Sequence, residues 1–218
     1  MDNQKKIAVI LAGCGVYDGS EIHEATLTLF AIMKLGASYE IFAPDVKQAQ
    51  VINHITGEEM PEERNVLIES ARIARGAIKN IKEYNPANFD ALILPGGFGA
   101  AKNLSTFAFD GAGLSVNPDV EKALKNTVDA RKPIGALCIA PVILAKLFPK
   151  ISLTIGQDKE TAKAIEKLGA THYGSNHGEV IVDNKYKVAT TPCYMLDANI
   201  LQIAGGAENI VEEILGMI

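Results

Sequence analysis

KIAVILAGCGVYDGSEIHEATLTLFAIMKLGASYEIFA, residues 6–43, is the stretch that decides the fold. Its first seven residues form an apolar, β-branched run that stops at Gly13, which is typical of a buried parallel strand. From Ser20 the apolar residues recur at helical spacing instead, with Ser20 as the expected N-cap and Gly36 as the expected stop. The closing SYEIFA has the pattern of a second strand. Together these patterns predict a right-handed strand–helix–strand unit.

Strand and helix patterns continue to alternate along the rest of the chain. Further strands are predicted at residues 51–56 (VINHIT), 91–95 (ALILP), 133–138 (PIGALC) and 152–155 (SLTI), with a hairpin at 178–190. Further helices are predicted at residues 62–75, 118–130, 139–148 and 158–168, and from about Met195 to the carboxyl end. This alternation predicts one α/β domain over residues 1–218, built on a doubly wound, mostly parallel sheet.

Composition restricts the class of protein. The 218 residues are 48% hydrophobic and 22% charged, with a net charge of -5, so neither a nucleic acid nor an anionic membrane is an expected partner. The amino terminus lacks a signal-peptide pattern, and the three cysteines are an odd count without metal-type spacing. We therefore expect free thiols, a cytoplasmic location and no metal. GGFGAA does not match the dinucleotide fingerprint after the first strand, so no cofactor is expected.

Cys138 is the first candidate for chemistry. It ends a predicted strand and opens a predicted helix, a tight turn that presents a side chain at the carboxyl edge of the sheet. The positive end of the following helix should favour its thiolate. A small buried core cysteine is the competing interpretation.

Two further features lie at neighbouring strand ends. Gly96 and Gly97 could present backbone N–H groups to an oxyanion, although a tight turn would also explain them. Glu21 and Glu24 fall in the first turns of the first helix, where carboxylates commonly complement the helix dipole. A protonated Glu24 could instead donate a hydrogen bond to a thiolate.

Long collinear strings, rather than single residues, carry a resemblance to a known family. They are GCGVYDGSEIHEA (13–25), VINHITGE (51–58), RNVLIESARIARG (64–76), LPGGFGAAKNLS (94–105), CIAP (138–141), LTIG (153–156) and TTPCYML (190–196). Together they resemble the ThiJ/PfpI superfamily, whose members have a flavodoxin-like, class I glutamine amidotransferase-like fold. Within the superfamily this sequence most resembles the ElbB branch. Members of that branch are described both as glyoxalases and as amidotransferase-like proteins of isoprenoid biosynthesis.

The resemblance implies a role for each candidate. Cys138 matches the superfamily's elbow cysteine, and Glu24, rather than Glu21, matches the glutamate that hydrogen-bonds it. The backbone N–H groups of Gly97 and Ile139 match the oxyanion donors, with Gly96 beside them. The resemblance also implies a homodimer.

The sequence departs from the family pattern at one position. Many relatives place a histidine after the strand that follows the elbow helix, where this chain has Ile155 and Gly156. His54, His177 or a residue of a neighbouring subunit could substitute. Cys14 could line the pocket or pack under the loop, and Cys193 could lie near the crevice or at a dimer contact. Residues 53–58 and 64–65 could cap the pocket, or form a solvated loop with an arginine at the start of a helix.

The leading functional hypothesis is a cofactor-independent, glutathione-independent glyoxalase. It would convert glyoxal or another small 2-oxoaldehyde to a 2-hydroxy acid through Cys138, with Glu24 moving the proton. One alternative is a redox-sensing or stress-response binding protein that uses the same cysteine. Another is an accessory protein of isoprenoid biosynthesis without catalysis.

Overall fold

The computed structural model describes residues 4–218. Its strands are β1 (Lys6–Ile10), β2 (Ser38–Ala43), β3 (Ile78–Asn80), β4 (Ala91–Leu94), β5 (Ile134–Leu137), β6 (Ser152–Leu153), β7 (Thr171–His172), β8 (Ile181–Asp183) and β9 (Val188–Thr191). Its helices are α1 (Ile22–Lys34), α2 (Val66–Ile73), α3 (Phe98–Lys102), α4 (Phe107–Asp110), α5 (Pro118–Asp129), α6 (Pro141–Leu147), α7 (Lys159–Lys167) and α8 (Ile200–Gly216). No helix in the described range has the length and apolar character needed to cross a bilayer.

Seven strands form the main sheet in the order β3-β2-β1-β4-β5-β9-β8. All neighbours are parallel except β8, which pairs antiparallel with β9 as the second half of the predicted hairpin. The strand order reverses beside β1, where β2 lies on one side and β4 on the other. Ligands of such sheets bind outside the carboxyl ends of the strands at this switch point. The prediction of a flavodoxin-like, doubly wound α/β fold is confirmed.

Alternating side chains of the central strands supply two separate cores. On β1, Ile7 and Val9 belong to the core that α1 and α8 cover, whereas Ala8 and Ile10 belong to the core beneath α5 and α6. All four side chains are fully buried. A strand buried on both faces needs apolar residues at consecutive positions, which explains the unbroken run at the start of the sequence.

Several predicted elements differ from the structure. Residues 51–56 do not form a strand: Ile52 makes one isolated bridge with Glu59, at the base of a loop closed by the bond from Gly57 N to Asn53 O. The strand predicted at residues 152–155 is only the two-residue β6, which pairs with β7 in a separate sheet. Within residues 51–56 only Val51 is buried. After β6 the backbone N–H groups of Thr154 and Ile155 donate to the side chains of Thr190 and His172, so they do not extend a strand ladder.

Three helices also begin at residues other than those predicted. Glu21, not Ser20, caps α1, because the Ser20 hydroxyl instead accepts a bond from Ala12 N at 2.8 Å. The helix predicted at residues 62–75 begins only at Val66, and the last helix begins at Ile200 rather than near Met195. In both cases an asparagine side chain caps the true start.

Candidate active site

Cys138 lies immediately after β5, in a turn that precedes α6. Its φ is 59°, and its backbone N–H donates to Thr191 O on β9 at 2.9 Å. A left-handed φ is unfavourable for a residue with a Cβ and recurs where the chain must hold a functional side chain. The cysteine is 7% exposed. The predicted elbow is therefore present, although the regular helix begins two residues later than expected, at Pro141.

Glu24 is fully buried beside this cysteine. Its Oε2 accepts a bond from Gly96 N at 2.9 Å, and its Oε1 accepts one from Tyr194 N at 3.1 Å. The carboxyl group thus joins α1 to the loop after β4 and to the turn after β9. Both oxygens are used as acceptors, so an added proton can be directed to the sulfur of Cys138.

Only glycine fits at position 96, because the backbone there lies directly against Cys138 and Glu24. A Cβ at this position would lie 2.4 Å from Cys138 Cβ and 2.7 Å from Glu24 Oε2. Gly97 has φ 97°, and a Cβ there would lie 2.3 Å from the backbone nitrogen of Glu21. Gly96 therefore lets the backbone after β4 approach the cysteine, and Gly97 lets it pack against the residues that precede α1.

The environment of Glu24 keeps its carboxyl group protonated far above the usual range. Burial is the main cause, and the nearby Glu21 adds to it, while the Tyr194 and Gly96 N–H groups and Cys138 act in the opposite direction. The result raises the pKa of Glu24 from an ordinary 4.5 to about 7. At neutral pH this carboxyl group can therefore give or take a proton.

The pKa of Cys138 shifts opposite to the direction expected from the helix end. Burial raises it well above 9.0, and the charge of Glu24 raises it further, whereas the backbone N–H groups of Gly97 and Ile139 lower it. The direction differs from the expectation because the desolvation of the buried sulfur outweighs the dipole of a helix that begins three residues away.

Glu24 and Cys138 consequently titrate as a pair rather than independently. Loss of the first proton leaves one negative charge, which can lie on the carboxylate or on the sulfur while the other group keeps its proton. The sulfur is nucleophilic only in the second arrangement. The N–H groups of Gly97 and Ile139 stabilise that arrangement because both favour negative charge at Cys138.

A cavity of about 250 Å³ opens beside the sulfur. Apart from Cys138, its walls come from the following residues: Val16, Glu21, Gly97, Phe98, Ala101, Phe107, Ala108, Ile139, Asp158, Thr161, Tyr194 and Met195. The structure thus brings together all five residues predicted for the site, since Gly96 and Glu24 lie next to Cys138. Residues 53–58 and 64–65 do not line this cavity.

Glu21 has a structural contact that the sequence left open. Its Oε2 accepts a bond from Glu24 N at 2.6 Å as the N-cap of α1. Its backbone N–H also donates to Gly96 O at 3.0 Å. Glu21 therefore orients the start of the helix that carries Glu24, while its side chain reaches the cavity wall.

Among the described residues, no histidine lines the cavity. Ile155 is fully buried, and at Gly156, with φ 91°, a Cβ would lie 3.0 Å from Pro192 Cβ, so the usual histidine position is closed. His23, which sequence reasoning did not consider, lies with Nδ1 2.9 Å from the hydroxyl of Tyr194. Its position one residue before Glu24 was the only signal available.

The other two cysteines lie outside the cavity. Cys193 is 4% exposed, with φ 41°, and this left-handed residue precedes the Tyr194 N–H that holds Glu24. Cys14 is half-buried, and its pKa is raised by burial and by Glu69. Burial raises the pKa of Cys193 well above its ordinary value, and the nearby charges of Glu24 and Cys138 raise it further.

The doubly wound sheet, the left-handed cysteine after β5 and its buried glutamate define an α/β protein with an elbow thiol. Residues 16–204 match the DJ-1/PfpI family, and the chain belongs to this family. The resemblance seen in the sequence is thereby confirmed.

Relatives from rat and human match nearly the whole chain. The ES1 protein homolog, mitochondrial, of Rattus norvegicus is 49% identical over 96% of this chain and 83% of its own length. The human glutamine amidotransferase-like class 1 domain-containing protein 3, mitochondrial, is 48% identical over 96% and 82%. Both names contradict the expected cytoplasmic location. Free cysteines indicate a reducing environment, and they do not separate the cytoplasm from the interior of an organelle.

Solved structures agree with this assignment. The isoprenoid biosynthesis protein with amidotransferase-like domain from Ehrlichia chaffeensis has a TM-score of 0.91 at 34% identity, covering 98% of this chain and all of its own. Glyoxalase III from Candida albicans has a TM-score of 0.62 at 15% identity, covering 96% and 97%, a likeness of fold alone. The homodimer implied by the resemblance stays a prediction.

Proposed function

We propose that this chain is a cofactor-independent glyoxalase that converts a small 2-oxoaldehyde to a 2-hydroxy acid through Cys138. One observation carries the proposal: a buried glutamate with a pKa of about 7 contacts a cysteine at the base of a cavity. Such a pair supplies a nucleophile and a proton carrier at neutral pH. The glyoxalase III neighbour shares the fold in which this chemistry would take place.

The first step is addition of the thiolate to the aldehyde. In the reactive arrangement Glu24 holds the proton and Cys138 the charge. The sulfur forms a bond to the aldehyde carbon, and the carbonyl electron pair becomes an alkoxide facing the N–H groups of Gly97 and Ile139. Glu24 then protonates this alkoxide, which leaves a hemithioacetal and a carboxylate.

The second step moves two protons, and no oxidant is required. The Glu24 carboxylate removes the hydrogen of the former aldehyde carbon and delivers it to the ketone oxygen, which gives an enediol. The hydroxyl proton on the sulfur-bearing carbon then moves to the neighbouring carbon, which gives a 2-hydroxy thioester. Water cleaves the thioester and releases the 2-hydroxy acid and the Cys138 thiol.

Hydrolysis requires a group that takes a proton from water. Tyr194 lines the cavity, and its hydroxyl contacts His23 at 2.9 Å. This pair could accept that proton in place of the histidine of the family pattern, where this chain has Ile155 and Gly156. The backbone N–H of Tyr194 holds Glu24, so a Tyr194→Phe variant removes the hydroxyl and keeps that bond.

Glycolate formation from glyoxal tests the proposal. Wild-type protein should produce glycolate without glutathione, and Cys138→Ala should lose this activity while keeping its circular dichroism spectrum. Cys14→Ala is the matched control, because this thiol lies outside the cavity, and it should keep the wild-type rate. Glycolate formation by Cys138→Ala at the wild-type rate, or none by the wild type, would refute the proposal.

Redox sensing through the same thiol is a second candidate. The N–H groups of Gly97 and Ile139 favour negative charge at the sulfur and would equally favour a sulfinate. Rapid peroxide oxidation of Cys138 without aldehyde turnover would support it. An accessory role in isoprenoid biosynthesis is suggested by the name of the Ehrlichia protein, and it would survive Cys138→Ala.

A further inference from the structure

The cavity beside Cys138 is far more apolar than a site for glyoxal requires. Seven of its lining residues have hydrocarbon or thioether side chains: Val16, Phe98, Ala101, Phe107, Ala108, Ile139 and Met195. Burial of such surface is favourable for a ligand with a matching apolar group. Glyoxal has no such group, so it would leave these walls in contact with water.

The volume of the cavity leads to the same conclusion. At roughly 30 Å³ for each water-sized group, about 250 Å³ has room for a molecule of eight or nine heavy atoms. Glyoxal has four. A 2-oxoaldehyde with a branched alkyl chain would fill the space between the sulfur and the far wall.

The charges around the cavity are all acidic. Glu21 and Asp158 line it, and no lysine or arginine in residues 4–218 does so. Hydrogen bonds from the N–H and hydroxyl of Thr161 lower the pKa of Asp158, so this side chain is anionic at neutral pH. Lys102 is on the same short helix as Phe98, but its amine donates to Tyr17 O at 2.9 Å and lines a neighbouring groove.

We infer that the substrates of this site are neutral or cationic 2-oxoaldehydes with an apolar chain, and that the site excludes anionic carbonyl compounds. The inference rests on the proposed function, because it names the substrate class of the same site. Phe98 and Phe107 bind the chain, and Glu21 and Asp158 repel a carboxylate or phosphate.

Three aldehydes test the inference. 5-Methyl-2-oxohexanal and 4,5-dioxopentanoate have the same shape, with an isopropyl group in one where the other has a carboxylate, and glyoxal has no chain. The isopropyl compound should exceed glyoxal in kcat/KM at least tenfold, since each well-placed methylene contributes about a factor of ten or more. The carboxylate compound should have a kcat/KM at least tenfold below that of its isopropyl counterpart. Equal values for all three aldehydes would overturn the inference.

Two variants test the charge and the shape of the cavity wall separately. Asp158→Asn keeps the cap of α7, because asparagine and aspartate cap equally well, and it should raise kcat/KM for 4,5-dioxopentanoate several-fold. Ala108→Leu narrows the cavity at α4, and it should lower kcat/KM for 5-methyl-2-oxohexanal more than for glyoxal. If neither substitution changed the relative kcat/KM values of these aldehydes, the assignment of Asp158 and Ala108 to the substrate-binding walls would be contradicted.

Alkylation of Cys138 gives a readout that does not depend on turnover. The rate ratio of neutral iodoacetamide to anionic iodoacetate should be at least tenfold higher at Cys138 than at glutathione, and Asp158→Asn should reduce that ratio. If this ratio holds while no aldehyde is converted, the glyoxalase proposal fails and the charge selectivity of the cavity stands. If aldehydes are converted but the ratio equals that of glutathione, the inference fails and the glyoxalase stands.

Discussion

Glu24 accepts a hydrogen bond from the backbone N–H of Gly96 at 2.9 Å, across the switch point of the sheet. The bond fixes α1 against the loop after β4, and Gly96 is the residue whose missing side chain leaves room for Cys138. A carboxyl group, a backbone amide and a sulfur therefore form one packed unit. Its stability and its reactivity should change together.

Because both carboxyl oxygens of Glu24 accept a hydrogen bond, we expect the substitution Glu24→Gln to destabilise the fold. Glutamine has one oxygen, so its amide group would face the N–H of either Gly96 or Tyr194. At pH 5, Glu24→Gln should lower the free energy of unfolding by about 1–3 kcal/mol, the cost of a buried unsatisfied donor. Urea unfolding followed by circular dichroism measures the loss.

The matched control for that substitution is Glu160→Gln. Glu160 is exposed in the first turn of α7. Its change should stay within about 0.5 kcal/mol of the wild type, as is usual for surface positions. An equal effect of the two substitutions would contradict the hydrogen-bonded arrangement of Glu24.

The raised pKa of Glu24 predicts a pH-dependent difference between the wild type and Glu24→Gln. The folded chain binds this proton more tightly than the unfolded chain, since the pKa rises from 4.5 to about 7. The resulting stability is complete below about pH 4.5 and is lost as the pH rises through 7. Between pH 5 and 8 the wild type should lose about 2–3 kcal/mol relative to the variant.

Urea midpoints of both proteins at pH 5, 6, 7 and 8 measure this effect. Titrating groups outside the Glu24–Cys138 pair cancel in the comparison because they occur in both proteins, and Cys138 keeps its proton over this range because its pKa is raised well above 9.0. Parallel stability curves across this range would show that Glu24 titrates normally.

Two glycine substitutions should have opposite effects. Gly96→Ala places a Cβ 2.4 Å from Cys138 Cβ, so we expect lower stability and a loss of Cys138 reactivity. Gly205→Ala in α8 meets no atom within 4 Å and should stabilise the protein by up to about 1 kcal/mol through helix propensity. Thermal unfolding and iodoacetamide labelling measure both effects, and a Gly96→Ala protein of normal stability and reactivity would contradict the packing at the switch point.

The sequence predicted those parts of the fold that follow from a continuous buried pattern. The buried run from Ile7 to Leu11 predicted β1, and the helical spacing over Pro118–Asp129 predicted α5. Both predictions succeeded because burial and capping act on residues close together in the sequence. The strand prediction for VINHIT (51–56) was wrong, because only Val51 in this segment is buried. The single bridge of Ile52 with Glu59 leaves no recognisable pattern in the sequence.

The candidate site was predictable in its residues and less so in its energetics. Cys138 and the Gly96–Gly97 pair could be placed from strand ends, but the choice of Glu24 over Glu21 needed the family resemblance, because both are buried acids in one turn. The raised pKa of Cys138 depends on how completely the surrounding elements exclude water. The contact of His23 with Tyr194 joins residues 171 positions apart.

The pH dependence of Cys138 alkylation by iodoacetamide, followed by mass spectrometry, tests most directly whether Glu24 and Cys138 share a proton. The wild-type rate should rise through a first midpoint near pH 7, where the pair loses one proton, and should rise again only well above pH 9, with the first step absent in Glu24→Gln. A single rise at the pH of an ordinary thiol, identical in both proteins, would contradict the account.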